Sequence, residues 1–214
     1  SASVVNFPMA HPSLSEVDTI SAGQDHFIIL KNDGTVWSVG NNEFGQLGIG
    51  STINQTEPIL ISELSSIKNI GAGDRHSFAI DSSGVLYAWG NNSFGQLGTG
   101  DLNAQLSPQI INLSSITSVD GGAAHSLFLK ETGEVFSCGE NDFGQLGNLN
   151  ANPLIPSKIQ LSGVRQISAG KNTSLFSRND LSVFGCGNNN EHQINGEISS
   201  QYLTPIHMMH IHGA

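Results

Sequence analysis

The sequence predicts an all-β protein built from repeated four-stranded units, the architecture of a β-propeller. Two observations carry this. A near-identical glycine-rich loop returns at a fixed interval, and the segments between its copies read as short strands with no helical periodicity. The loop is NNEFGQLGIG at 41–50, NNSFGQLGTG at 91–100 and ENDFGQLGN at 140–148, with a worn copy, NNNEHQING, at 188–196. Starts at 41, 91, 140 and 188 give intervals of 50, 49 and 48 residues, within the range that marks solenoids, propellers and arrays. A loop that recurs this way is architecture before it is a unique catalytic site.

The first unit, about residues 15–62, opens with DTISAGQDHFIIL. This gives a short strand, a glycine turn and an apolar second strand. Asn32-Asp33-Gly34 supplies the positive φ that a tight hairpin needs. TVWSVG is the third strand, the glycine loop follows, and TEPILI is the fourth. The second unit (about 63–113) repeats the order with KNIGAGDRHSFAI, Ser82-Ser83-Gly84, VLYAWG and LSPQII. The third (about 114–161) has TSVDGGAAHSLFL, Glu131-Thr132-Gly133, EVFSCG and LIPSKIQL. The fourth (about 162–206) has RQISAGKNTSLFS and LSVFGCG. Trp37, Tyr87, Phe136 and Phe184 share one register, which predicts a repeated aromatic layer. Proline in the fourth strands fits an edge, where its missing N–H faces no partner. MHIHGA, 209–214, aligns with NIGAG and predicts the start of a fifth unit over 207–214. Four strands per unit describe a propeller blade, and the chain, 1–214, reads as a single domain.

Composition bounds the function. Of the 214 residues, 37% are hydrophobic, enough for a sizeable core. Net charge is −10 with eight Lys and Arg, and there is no basic run, which disfavours direct nucleic-acid contact through phosphates. An acidic surface suits basic patches on a protein partner instead. No apolar run approaches the roughly 20 residues that span a bilayer, and SASVVNFPMAHPS lacks the blocks of a signal peptide. Cys138 and Cys186 occupy the same slot in consecutive units. They are expected too far apart to bridge, as buried thiols in a reducing compartment. An intracellular location, cytoplasmic or nuclear, follows.

The repeated polar residues read as structural. His26, His76 and His125 sit one per unit and would have to converge to hold a metal. They are expected to make structural hydrogen bonds. Gln46, Gln96 and Gln145 are expected to bond backbone between blades. His210 and His212 would share a strand face, too few ligands for a metal site. No P-loop Lys follows GQLG, and Ser77 and Ser126 point away from the adjacent His76 and His125, so no nucleophile–base pair is implied. The chain is therefore expected to be no enzyme and to need neither cofactor nor metal. Function should lie where the units differ. The turns between first and second strands carry Asp25, Asp74, Arg75 and Lys171, and the same face carries Glu43, Asp101, Glu140 and Asp142. These eight form the expected partner-binding face.

The pattern AG-x-x-H-S, a hairpin, then W-G-x-N-x-x-G-Q-L-G-x-G resembles the RCC1 (regulator of chromosome condensation) repeat. WD40 and kelch repeats carry no GQLG after the third strand. The resemblance covers roughly 15–214. The fourth copy departs from it at Thr173, Glu191, His192 and Asn195. It implies an RCC1-like propeller whose rings usually hold seven blades. Four blades and the start of a fifth would make this chain a fragment of such a ring, completed by further sequence; the alternatives are a ring closed with another chain, or four blades closing unusually tightly. The family includes an exchange factor for the small GTPase Ran, a light sensor, a β-lactamase inhibitor and modules of ubiquitin ligases. Trp37 and Trp89 are the two tryptophans, too few for the light sensor's cluster. The resemblance thus implies a protein-binding propeller that engages a Ran-type GTPase and acts as a guanine nucleotide exchange factor. The alternative is a non-catalytic scaffold or inhibitor domain of a larger protein. The even unit lengths, without the exchange factor's inserted segment, favour that alternative.

Overall fold

The computed structural model describes residues 14–196 and 199–208. It consists of four antiparallel four-stranded sheets, each a simple meander. The first holds β1 (Val17–Ala22), β2 (His26–Lys31), β3 (Val36–Gly40) and β4 (Gln55–Leu60). The second holds β5 (Ile67–Ala72), β6 (His76–Asp81), β7 (Leu86–Gly90) and β8 (Gln105–Ile111). The third holds β9 (Ile116–Gly121), β10 (His125–Lys130), β11 (Val135–Gly139) and β12 (Ser157–Lys158). The fourth holds β13 (Val164–Ala169), β14 (Thr173–Arg178), β15 (Val183–Asn188) and β16 (Gln201–His207). The described residues contain no helix, and none long and apolar enough to cross a membrane. The all-β propeller reading holds.

Successive first strands pack side by side, β1 on β5, β5 on β9 and β9 on β13. Their turns, Ala22-Gly23, Ala72-Gly73, Gly121-Gly122 and Ala169-Gly170, line one cavity of about 420 Å3. The sheets therefore stand as blades around a shared axis.

The core lies between blades because each strand alternates its side chains onto two apolar faces. Ile28, Leu30 and Val36 of the first blade meet Ile67, Ile70, Ala79 and Trp89 of the second. Phe78 and Leu86 meet Ile116, Val119 and Phe128, with the Phe78 and Phe128 rings edge-to-face at 5.7 Å. Leu127, Leu129 and Val135 meet Val164, Ile167 and Phe176. Each such side chain contributes roughly 1.5–3 kcal/mol on burial. The aromatic layer is present. Lys31, Lys130 and Arg178 end their second strands over the rings of Trp37, Phe136 and Phe184.

The outward face of the first blade has no described neighbour. Ile20 is 59% exposed and Phe27 50%, whereas Ile70 and Ser77, their equivalents in the second blade, are buried.

Two strand limits differ from the sequence reading. LIPSKIQL yields β12 as a two-residue strand, because the chain turns repeatedly through Asn148–Ala151 and reaches β11 late. His207, where the fifth unit was expected to begin, belongs to β16, paired with Phe184. The rest of that stretch, 209–214, lies outside the described residues.

Candidate protein-binding face

The GQLG loop seats each blade on the next. Gly45 has φ +80°, and a Cβ there would lie 2.8 Å from the Leu106 Cα of the second blade. Glycine is thus required twice, by conformation and by space. The glutamine beside it does not act as expected. The Gln46 Oε1 accepts the Phe44 N–H (2.9 Å) and its Nε2 donates to the Asn41 Oδ1 (2.7 Å), so the side chain braces its own loop. Gln96 and Gln145 do the same for Phe94 and Phe143. What crosses between blades is the glutamine carbonyl. Gln46 O accepts from Ser77 Oγ (2.8 Å) and Trp89 Nε1 (2.9 Å). Gln96 O accepts from Ser126 Oγ (2.6 Å) and Cys138 Sγ (3.4 Å). Gln145 O accepts from Ser174 Oγ (2.6 Å), with Cys186 Sγ at 3.7 Å.

The histidines complete this link. His26 Nε2 lies 2.8 Å from Ser77 Oγ, His76 Nε2 3.1 Å from Ser126 Oγ, and His125 Nε2 3.0 Å from Ser174 Oγ. A hydroxyl has one proton, and each serine commits it to the glutamine carbonyl. The ring nitrogen must therefore donate, which fixes the neutral Nε2–H tautomer. Burial agrees, pushing the pKa down to about 4 for His26, about 3 for His76 and about 4 for His125. The three Nδ1 atoms have no hydrogen-bond partner. Each ring rests on a glycine: a Cβ at Gly73 would lie 2.1 Å from the His76 Cε1. Among the described residues no three His, Cys, Asp or Glu gather to hold a metal. Both cysteines are free and buried. Sequence reasoning missed this three-part link. Its signal was the serine after His76 and His125, absent after His26, where Phe27 stands.

The structure sorts the eight candidate residues into groups. The first-to-second-strand turns are joined by backbone bonds, Gln24 N to Asp74 O, Asp74 N to Gly122 O and Ala123 N to Lys171 O, each 3.1 Å. Asp74 and Lys171 thus flank the mouth of the axial cavity, with Asp25 exposed beside it. Glu43 lies apart, in a shallow recess with Ile53. Asp101 serves its own loop. Its carboxylate accepts from Thr99, Asn103 and Asn92, and hydrogen bonds from Thr99 and Asn103 hold its pKa down. Glu140 and Asp142 line a groove of about 610 Å3 between the second and third blades. Burial, and then Asp142, push the Glu140 pKa up. Arg75 covers the Phe44 ring, 5.0 Å from its centroid.

Meandering sheets stacked around a glycine-lined axis and tied by repeated loops define a propeller repeat protein. The chain belongs to the RCC1-like domain family, whose sequence profile matches residues 2–212. No curated protein matches it. Among solved structures it is similar to Prp20p from Saccharomyces cerevisiae, at 23% identity and TM-score 0.84, over 94% of this chain and 52% of that one. The yeast Prp20 in complex with Kap60 gives 22% and 0.82, over 94% and 50%. Human WBSCR16 gives 22% and 0.79, over 90% and 53%. The chain spans about half the length of these structures. At such identities the likeness is one of fold.

Proposed function

We propose that this chain is a protein-binding propeller that engages a small GTPase of the Ran type and promotes release of its nucleotide. The observation that carries the reading is a set of carboxylates on one face: Asp74 lines the axial mouth opposite Lys171, Asp25 is exposed beside it, and Glu140 and Asp142 line a groove between the second and third blades. Prp20p, similar in fold, was solved together with its binding to Gsp1p and histones. An exchange factor makes no covalent bond. It accelerates release by binding the nucleotide-free state more tightly than the loaded one. Carboxylates such as Asp25, Asp74 and Asp142 would compete with the nucleotide for the lysine of the GTPase phosphate site. The reading places the chain in the cytoplasm or nucleus, where buried thiols stay reduced.

Release of fluorescent GDP from Ran and from other small GTPases tests it. Acceleration at sub-stoichiometric concentration is expected, and D74A with D142A should remove it. Unchanged release with the folded chain overturns the exchange reading.

The second reading is a pure interaction or inhibitor domain of a larger protein. Its support is the regularity of the blades. β3 to β4 and β7 to β8 are joined over the same span, 41–54 and 91–104, and the longer join of β11 to β12, 140–156, spends its extra residues on turns. This reading expects a stable complex that leaves release unchanged.

A further inference from the structure

The repeat supplies its own control for the groove between the second and third blades. At the preceding junction the Phe44 ring is half-buried under Arg75 of the next blade. Phe94 is the equivalent ring one junction on, and it is 47% exposed. The two junctions differ at the turn residue beside the ring. Arg75 and Ala124 occupy the same backbone position, each passing its carbonyl to the residue after the third strand: Asn91 N to Arg75 O at 2.9 Å, Glu140 N to Ala124 O at 2.8 Å. Alanine cannot reach the ring. The same junction departs from the repeat twice more. Glu140 stands where the second blade has Asn91, and Asp142 where it has Ser93. One cation is lost and two carboxylates are gained around an uncovered aromatic ring. The fourth blade shows none of this, having Asn172, Asn188 and Asn190 at those positions.

The floor and walls suit a side chain with an apolar stem and a cationic end. Phe94, Leu102, Pro153 and Leu154 line the groove together with Glu140 and Asp142. A guanidinium stacks on an aromatic face and pairs with carboxylates through its planar fork. The molecule already uses the stacking one blade earlier, with Arg75 over Phe44. We propose that this groove receives an arginine side chain from a protein partner, its guanidinium over the Phe94 ring and beside Glu140 and Asp142. Burial and the neighbouring Asp142 raise the Glu140 pKa, and its Oε2 accepts one bond, from Gln145 Nε2 at 3.2 Å. The inference holds for a GTPase or a scaffold client alike, so a negative exchange assay leaves it standing.

The test is NMR titration of the labelled chain with acetyl-Leu-Arg-Leu-amide, and with the same peptide carrying citrulline, which keeps the shape and drops the charge. Saturable shifts are expected at the Phe94 ring and the Leu102 and Leu154 methyls, with the citrulline peptide at least about tenfold weaker. A124R should abolish binding, because its own guanidinium takes the ring as Arg75 takes Phe44. E140Q with D142N, which keeps both side-chain volumes, should weaken binding about tenfold. Absence of saturable shifts, equal affinity for citrulline, or binding unaltered in A124R or in E140Q/D142N overturns the proposal.

Discussion

The Nε2 of His76 in the second blade lies 3.1 Å from the Oγ of Ser126 in the third, and that hydroxyl donates onward to the Gln96 carbonyl of the second. One serine thereby satisfies two buried groups of the preceding blade. S126A should leave both a ring N–H and part of a carbonyl unpaired, and destabilise the chain by about 1–3 kcal/mol. S77A and S174A should behave alike. Urea unfolding reads this against S82A, an exposed hairpin serine whose loss should change stability by less than about 0.5 kcal/mol.

The buried histidines set a pH dependence. Each is held neutral in the fold, at about 4, 3 and 4 for His26, His76 and His125, against an ordinary 6.5. As pH falls below 6.5 the unfolded chain takes up protons that the folded chain refuses. Stability is therefore full above pH 7 and falls on acidification towards pH 4, by on the order of 5 kcal/mol for the three rings together between pH 7 and 5. The carboxylates with lowered pKa (Asp33, Asp81, Asp101, Glu134 and Asp180) lose their contribution only below their ordinary values of 3.8 to 4.5, and Asp120 and Glu140, raised by burial, act in the opposite sense, so the three histidines set the sign of the decline. Urea midpoints from pH 7.5 to 5 should show the decline, and H76N should flatten it by about a third.

Glycine under a histidine ring leaves no room for a methyl group. G73A places a Cβ 2.1 Å from the His76 Cε1 and 2.6 Å from the Gly122 carbonyl. Neither neighbour can move without breaking the link or the turn, so a loss of several kcal/mol is expected, at the upper end for a single substitution. A thermal melt of G73A should show it, and G196A, where a Cβ meets nothing within 4 Å, should melt near the parent.

The thiols should be silent in the native state. Burial pushes the Cys138 thiol up strongly and Cys186 up to about 12. Reaction with a thiolate-trapping disulfide reagent at pH 8 should be slow in buffer and complete in denaturant, releasing two equivalents.

Much of this fold is legible in the sequence because its punctuation is repeated. Hairpin glycines, period-two alternation and the GQLG loop place every sheet, and the edge prolines mark the outer strands. The site is less legible. That Asp101 is held by Thr99 and Asn103, while Glu140 accepts from Gln145 at the wall of a groove, depends on which loop folds back on itself. Arg75 covering Phe44 depends on which blade face each turn meets. The Gln46 carbonyl, the hub of the interblade link, is a backbone atom that every residue possesses. The shortened β12 reflects a connection, 140–156, whose turns absorb residues the pattern assigned to a strand.

The histidine–serine–carbonyl link has a direction, and it ends at both outer blades. The first blade presents Phe27 and Val39 where later blades present serine and a Trp or Cys donor, and the fourth presents Thr173 where earlier ones present histidine. If copies of this chain joined head to tail, Thr173 would meet Phe27, and the carbonyl of Gln193 would face two hydrocarbon side chains. Such a heterologous contact would bury an acceptor without a donor, at a cost of about 1–3 kcal/mol. A blade seated on the open face of the first would therefore be held there by packing against Ile20 and Phe27, and not by this link.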